Sequence, residues 1–396
     1  MSASLPEPDA DERAHSQRLV AALQAEIAAQ GPIPFSRYME RCLYAPGLGY
    51  YSAGRSKFGA SGDFVTAPEL GTLFAECVVQ ALLPTLRELG GGAEIVELGG
   101  GSGAFAEAAL KRLDTLGTLP KRYGILEPSA DLQQRQQQRL VANLTPALLA
   151  RVHWLQRPPE DDWQGVLFAN EVIDALPATR FTKRGGEVFE EHVALADGTL
   201  QRRDLPADAL VGAAVRHLER DLGTEFADGY RSELLPQLPY WMQAVAGSLS
   251  RGLLLFVDYG YPRHEYYLPE RTDGTLIAHY RHRAHGDAMH LPGLQDLSTS
   301  VDFTALAEAG NQAGFAVAAY VPQAAFLIAA GLEPAFQRTH EAAADEAERY
   351  ALAQQVKRLT LPGQMGERFQ AMLLVRDLPP QALDAAVLGV DQSRRL

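Results

Sequence analysis

Short apolar runs bounded by glycine or polar turns alternate along this chain with longer stretches that carry apolar residues at helical spacing. The runs Ile95–Leu98, Tyr123–Leu126, Val152–Leu155, Gly165–Ala169 and Gly252–Val257 predict buried parallel strands. A strand covered on both faces has no polar alternation to show. Thr72–Leu89, Ala104–Leu116 and Ala130–Leu140 predict the intervening helices. Strands alternating with helices imply an α/β protein, a doubly wound, mostly parallel sheet with helices on both faces.

Elsewhere the rhythm changes. Ser16–Ala29 predicts a helix stopped by Gly31-Pro32, and Phe35–Leu43 a second short one. From Thr179 to Arg203 apolar and polar residues alternate around turns at Gly185-Gly186 and Asp197-Gly198, which predicts an antiparallel insertion. Leu205–Leu222 and Pro236–Leu249 read as helices. Phe303–Ala313, Ala324–Gly331 and Ala335–Leu359 read as further helices, with strands at Phe315–Val321 and Phe369–Val375. Two long segments fit neither rhythm: the glycine- and tyrosine-rich loop Pro46–Pro68, and residues 261–301, which read as a lid. Long loops in compact domains usually carry function. The resulting division is a disordered tail 1–12, a helical and aromatic-loop region 13–90, core halves 91–178 and 251–378, an insertion 179–250 and a tail 379–396.

Composition narrows the field. With 396 residues the chain can bury a large core, and its net charge of −13 lacks the basic footprint that nucleic acid or an anionic membrane requires. No apolar run approaches the ~20 residues of a membrane span. The acidic N-terminus has no signal or transit pattern, and the two cysteines, Cys42 and Cys77, sit in apolar surroundings. These features make the cytoplasm the expected compartment, with both thiols reduced and buried.

The candidate chemistry centres on residues 94–103, Glu-Ile-Val-Glu-Leu-Gly-Gly-Gly-Ser-Gly, a strand that runs into a glycine turn and a helix. Gly99, Gly101 and Ala104 satisfy the dinucleotide fingerprint G-x-G-x-x-G/A, with the acidic Glu127 about 20 residues on. The same residues satisfy E-x-G-x-G-x-G, the turn of methyltransferases that use S-adenosylmethionine. Glu97 favours the second, since a carboxylate suits a cationic amino group and a sulfonium better than a pyrophosphate. Glu97, Glu127 and Asn170-Glu171 all fall at the carboxyl ends of predicted strands, where open α/β sheets bind ligands.

Four motifs in order carry a family resemblance: Gly62-Asp63-Phe64-x-Thr66-x-Pro68-Glu69, Glu97-Leu98-Gly99-x-Gly101-x-Gly103, Asn170-Glu171-x-x-Asp174-Ala175-Leu176-Pro177 and Asp258-Tyr259-Gly260. The later Pro292-Gly293-x-x-Asp296-Leu297-Ser298-x-x-Val301-Asp302-Phe303 fits as well. Together they resemble the MidA-like S-adenosylmethionine-dependent methyltransferases, which include the mitochondrial complex I assembly factor that methylates an arginine. The resemblance implies a class I methyltransferase fold, a seven-stranded sheet whose final strand is antiparallel. It also implies S-adenosylmethionine as donor, with S-adenosylhomocysteine as product, and a protein substrate with an arginine acceptor, by family a respiratory-complex subunit.

Within that frame Gly99, Gly101 and Gly103 give the methionine half of the donor close backbone approach, and Glu97 holds its amino group. Glu127 accepts from the ribose hydroxyls, or else serves only as a charge at a helix N-terminus. Gln156, after the third strand, offers an amide oxygen to the adenine amine; Asn170, Gly62 and Asp63 complete the cofactor set. Glu171 and Asp174 are the candidate catalytic pair, two carboxylates able to grip a guanidinium in fork-like hydrogen bonds and to take its proton, or else a capping pair for the next helix. His279, His282, His285 and His290 lack metal-ligand spacing, so no metal is expected. A small-molecule amine acceptor, a non-catalytic assembly factor and an NAD-dependent oxidoreductase stay open as alternatives.

Overall fold

A computed structural model describes residues 5–52 and 66–396. The chain separates into two compact units, each built from three stretches: Met1–Phe64, Ile173–Gln237 and Tyr261–Asp302 in one, Val65–Val172, Leu238–Gly260 and Phe303–Leu396 in the other. The sequence-based division into consecutive blocks differs, because both the antiparallel insertion and the 261–301 segment return to the N-terminal unit.

The larger unit carries the parallel sheet. Its strands are β1 (Glu94–Leu98), β2 (Arg122–Leu126), β3 (Val152–Leu155), β4 (Trp163–Asn170), β5 (Leu249–Tyr261), β6 (Ala316–Pro322) and β7 (Phe369–Arg376). They lie in the order β6-β7-β5-β4-β1-β2-β3, and among the described residues the sheet counts eight strands, one more than expected. β1 to β5 are parallel, and β7 runs antiparallel to both β5 and β6, as expected of the final strand. Helices α1 (Thr72–Leu89), α2 (Ala104–Thr115) and α3 (Ala130–Asn143) follow the predicted spans within three residues. On one face Ile95, Tyr123, Ile125, Val166 and Phe168 pack with Phe74, Phe105 and Leu110. On the other, Trp241 meets Phe256 and Phe303 meets Tyr320. The C-terminal tail 379–396 packs on this unit: Val387 is buried, and the Asp391 carboxylate accepts from Tyr320 N at 2.8 Å. The long helix expected over 335–359 is two, Leu332–Ala342 and Glu346–Thr360.

In the smaller unit the first helix spans Ala10–Gln30, closed by a capping box between Asp9 and Glu12. It therefore begins inside the segment expected as a tail. The insertion forms the predicted antiparallel strands Thr179–Arg184, Glu187–Ala196 and Thr199–Pro206, joined by Arg231–Leu234. The 261–301 segment, expected as an irregular lid, is largely packed. It contributes a three-stranded antiparallel sheet of Ile277–Tyr280, Arg283–His285 and Asp296–Ser298, with Tyr266, Tyr267 and Tyr280 buried. Arg180, 1% exposed, holds this unit's interior with ion pairs to Glu191 at 3.2 Å and Glu233 at 3.0 Å. No described helix is long and apolar enough to cross a membrane.

Candidate functional site

The register of the larger unit's sheet assembles most of the predicted cofactor residues. Leu98 pairs with Leu126 on one side and with Ala169 on the other. The next residues of the three strands lie at the same level, so Gly99 stands between Glu127 and Asn170, the last residue of β4. Gly99 N donates to Leu126 O at 2.9 Å, which fixes the first residue of the turn against β2.

The turn takes the backbone where glycine is needed. Gly99, Gly101 and Gly103 have φ of 64°, 51° and 83°. A Cβ on Gly99 would lie 2.9 Å from Val172 Cγ2. Gly103 then opens α2, whose first-turn N–H groups point back toward the turn. Ser102, between the glycines, donates its hydroxyl to the Glu69 carboxylate.

Glu97 is 3% exposed, on the same face of β1 as Ile95, and accepts from the Tyr123 hydroxyl at 2.8 Å. Burial pushes its carboxyl up to about 7, with the Tyr123 hydrogen bond acting downward and the Glu127 charge adding to the rise. Glu127 is buried as well. Its Oε1 accepts from Ser129 N at 2.9 Å, and its Oε2 lies 3.4 Å from Gln136 Nε2, so the carboxylate is oriented by neighbours on the turn into α3.

At the end of β4, Asn170 Nδ2 donates to Glu171 Oε1 at 3.0 Å, while Asn170 Oδ1 is buried and makes no hydrogen bond among the described residues. An oriented acceptor without a donor is the kind of group a ligand's N–H or O–H completes. Glu171 has φ of 53°, a left-handed backbone that costs a non-glycine residue about 1–2 kcal/mol. Its N–H is tied to Val257 O at 2.9 Å. Strain of this sort at a strand end motivates a functional reading.

Gln156 is exposed, just past β3. Asp174 belongs to the smaller unit, where it is buried and its carbonyl accepts from Thr299 N at 3.0 Å. Gly62 and Asp63 lie outside the described residues. Of the aromatic loop, Tyr51 stacks on Tyr44 of the preceding helix at 5.5 Å and donates to Asp296 at 2.9 Å. Cys42 and Cys77 are free thiols, and burial pushes each up to about 12. The described residues contain no group of three or more His, Cys, Asp or Glu side chains able to hold a metal ion. Sequence reasoning passed over Gln136, although a glutamine-rich run on a helix that must face the sheet was a visible signal.

The turn with three positive-φ glycines, flanked by oriented carboxylates and by an unsatisfied Asn170 oxygen, fits a ligand with amino, sulfonium and ribose groups. Comparison with known proteins agrees. The family described as "Putative S-adenosyl-L-methionine-dependent methyltransferase" matches residues 77–321. A Drosophila melanogaster protein named protein arginine methyltransferase NDUFAF7 homolog, mitochondrial, is 31% identical over 75% of this chain and 71% of its own. The Homo sapiens protein arginine methyltransferase NDUFAF7, mitochondrial, is 27% identical over 91% and 83%. A Burkholderia thailandensis protein solved bound to S-adenosyl-homocysteine superposes with a TM-score of 0.91, at 40% identity over 99% of this chain and 100% of its own. The cytoplasm expected from the sequence is corrected by the Drosophila melanogaster and Homo sapiens relatives, which are named as mitochondrial. Its strand order, its final antiparallel strand and the match across residues 77–321 agree, and the chain belongs to the family of S-adenosyl-L-methionine-dependent methyltransferases.

Proposed function

We propose that this chain is a protein arginine N-methyltransferase. The donor supplies an electrophilic methyl group on a sulfonium sulfur. The chain's residues position that group and manage charge and protons. Gly99, Gly101 and Gly103 take the methionine half, Glu97 its amino group and Glu127 the ribose hydroxyls; Asn170 Oδ1 offers a further acceptor. Gln156, Gly62 and Asp63 hold the remaining cofactor contacts in this reading.

Glu171 is the proposed catalytic group. Its carboxylate accepts hydrogen bonds from the acceptor guanidinium and takes a proton as one nitrogen attacks; Asp174, three residues on, is the second carboxylate of the loop. The observation that carries the reading is the strained backbone of Glu171, φ 53°, at the strand end next to the glycine turn. The arginine acceptor is further supported by the names of the relatives. A respiratory-complex subunit as substrate is the finest form of the proposal and rests on family resemblance.

Glu171→Gln tests it. Affinity for S-adenosylhomocysteine should stay within about twofold while turnover falls at least about a hundredfold, the usual scale of a lost general base. Unchanged turnover would remove Glu171 from the chemistry. The acceptor is tested by mass spectrometry of cell proteins with and without the chain: loss of methyl groups from lysine or small amines, and none from arginine, would reject the arginine assignment.

A further inference from the structure

Helix α3 carries a polar stripe that faces the glycine turn. Gln133, Gln136 and Arg139 follow one another at three-residue spacing, so they share one face. Each reaches a different part of the cradle. Gln133 Nε2 donates to Glu127 O at 2.5 Å. Gln136 Nε2 donates to Gly101 O at 3.0 Å and approaches Glu127 Oε2 at 3.4 Å. Arg139 donates from Nη1 to Ser102 Oγ at 3.2 Å and from Nε to Glu107 at 2.7 Å.

Gln136 is the centre of this stripe and is fully buried. Its Oε1 accepts from the Trp154 indole N–H at 3.0 Å. An indole N–H can only donate, so it fixes which end of the amide is oxygen and turns Nε2 toward the turn and the carboxylate. A carboxamide is the one uncharged group that accepts on one side and donates twice on the other. The turn also fits closely around it: a Cβ on Gly100 would lie 3.1 Å from Gln136 Nε2, and one on Gly103 would lie 3.4 Å from its Cα.

We infer that Gln136 is a positioning residue for the ribose of the donor, locking the Glu127 carboxylate to the glycine turn in one register, with Trp154 setting the amide. The inference rests on the methyltransferase reading above. Without Gln136, the turn and the carboxylate that together receive a nucleoside are no longer tied to each other. The loss then falls on ligands that use the ribose hydroxyls and spares those that lack them, a distinction that general loosening of the fold does not produce.

The experiment titrates S-adenosylhomocysteine and its 2′,3′-dideoxy analogue into the full chain by calorimetry, for the wild type, Gln136→Leu and Trp154→Phe. In Gln136→Leu, affinity for S-adenosylhomocysteine should fall about ten- to a hundredfold, the scale of a hydrogen bond to a charged group, while affinity for the dideoxy analogue changes less than about twofold. Turnover at saturating donor should stay within about threefold, so that KM moves and kcat does not. Trp154→Phe keeps the core aromatic and should reproduce the same selectivity at about fivefold, which covers the case of a poorly folding leucine variant. Equal losses for both ligands, or no loss for either, overturn the inference. A wild type that binds neither ligand overturns the methyltransferase reading together with it.

Discussion

Glu97→Gln should change how stability depends on pH. The carboxyl lies in the sheet core, and burial raises it from 4.5 to about 7. Below pH 4.5 it is protonated in both the folded and the unfolded chain, and no penalty arises. As pH climbs from 4.5 to about 7, the unfolded chain ionises while the folded protein still holds its proton, so stability falls by about 1.4 kcal/mol per unit. The interval is about 7 − 4.5, or about 2.5 units, which makes the total loss roughly 3 kcal/mol, complete above the folded value. Glutamine mimics the protonated carboxyl, keeps an acceptor for the Tyr123 hydroxyl and cannot ionise.

The advantage of Glu97→Gln over wild type should therefore grow by roughly 3 kcal/mol between pH 4.5 and pH 8. Urea titrations followed by tryptophan fluorescence read this directly, because Trp154, Trp163 and Trp241 all lie in the larger unit with Glu97. Saturating S-adenosylhomocysteine should flatten the wild-type slope, since an ammonium group beside Glu97 favours its ionised form. Parallel pH profiles for the two proteins, within about 0.5 kcal/mol, would refute the buried neutral carboxyl.

Gly99→Ala places a Cβ on a backbone with φ 64° and 2.9 Å from Val172 Cγ2, and should cost about 1–3 kcal/mol in stability and more than about tenfold in S-adenosylhomocysteine affinity. Calorimetry at wild-type affinity would contradict the close-approach role of the turn. Arg180→Leu leaves the buried Glu233 without its guanidinium, while Glu191 keeps Arg231 and Arg202, and should destabilise the smaller unit by about 3–5 kcal/mol. Thermal melting by circular dichroism is the measurement, because the tryptophans report on the other unit; a loss under about 1 kcal/mol would show that the network is compensated.

The parallel core was legible because each of its strands is a bounded apolar run and each helix has an apolar stripe. Thr72–Leu89 is the clearest case, its span identical in sequence and structure. The glycine turn was legible for a related reason: few backbones other than glycine can take three left-handed residues in five positions. The first helix was read too short because its capping box, Asp9 and Glu12, lies in an acidic stretch that composition alone assigns to a tail. The 261–301 segment looked irregular because its three strands are three or four residues long, too short to show a period. Its buried tyrosines were the better guide, since large aromatic groups are seldom left in water. Gln136 was missed for the opposite reason. Glutamine carries no charge and no reactivity, so its value as an orienting group appears only when three partners surround it.

The way the acidic strand ends are held bears on what they can bind. Glu97 lies on β1, and Glu127 and Glu171 directly follow the neighbouring strands β2 and β4; hydrogen bonds reach them from the Tyr123 phenol, the Ser129 backbone amide and the Gln136 and Asn170 carboxamides. These donors are neutral. They orient each carboxyl group and satisfy part of its hydrogen-bonding capacity. Adjacent carboxylates disfavour one another's ionisation, which adds to the rise of the Glu97 carboxyl. A cation arriving at the glycine turn relieves that repulsion. The sulfonium donor therefore offsets more of this repulsion than the product, which keeps the ammonium group but carries a neutral thioether sulfur.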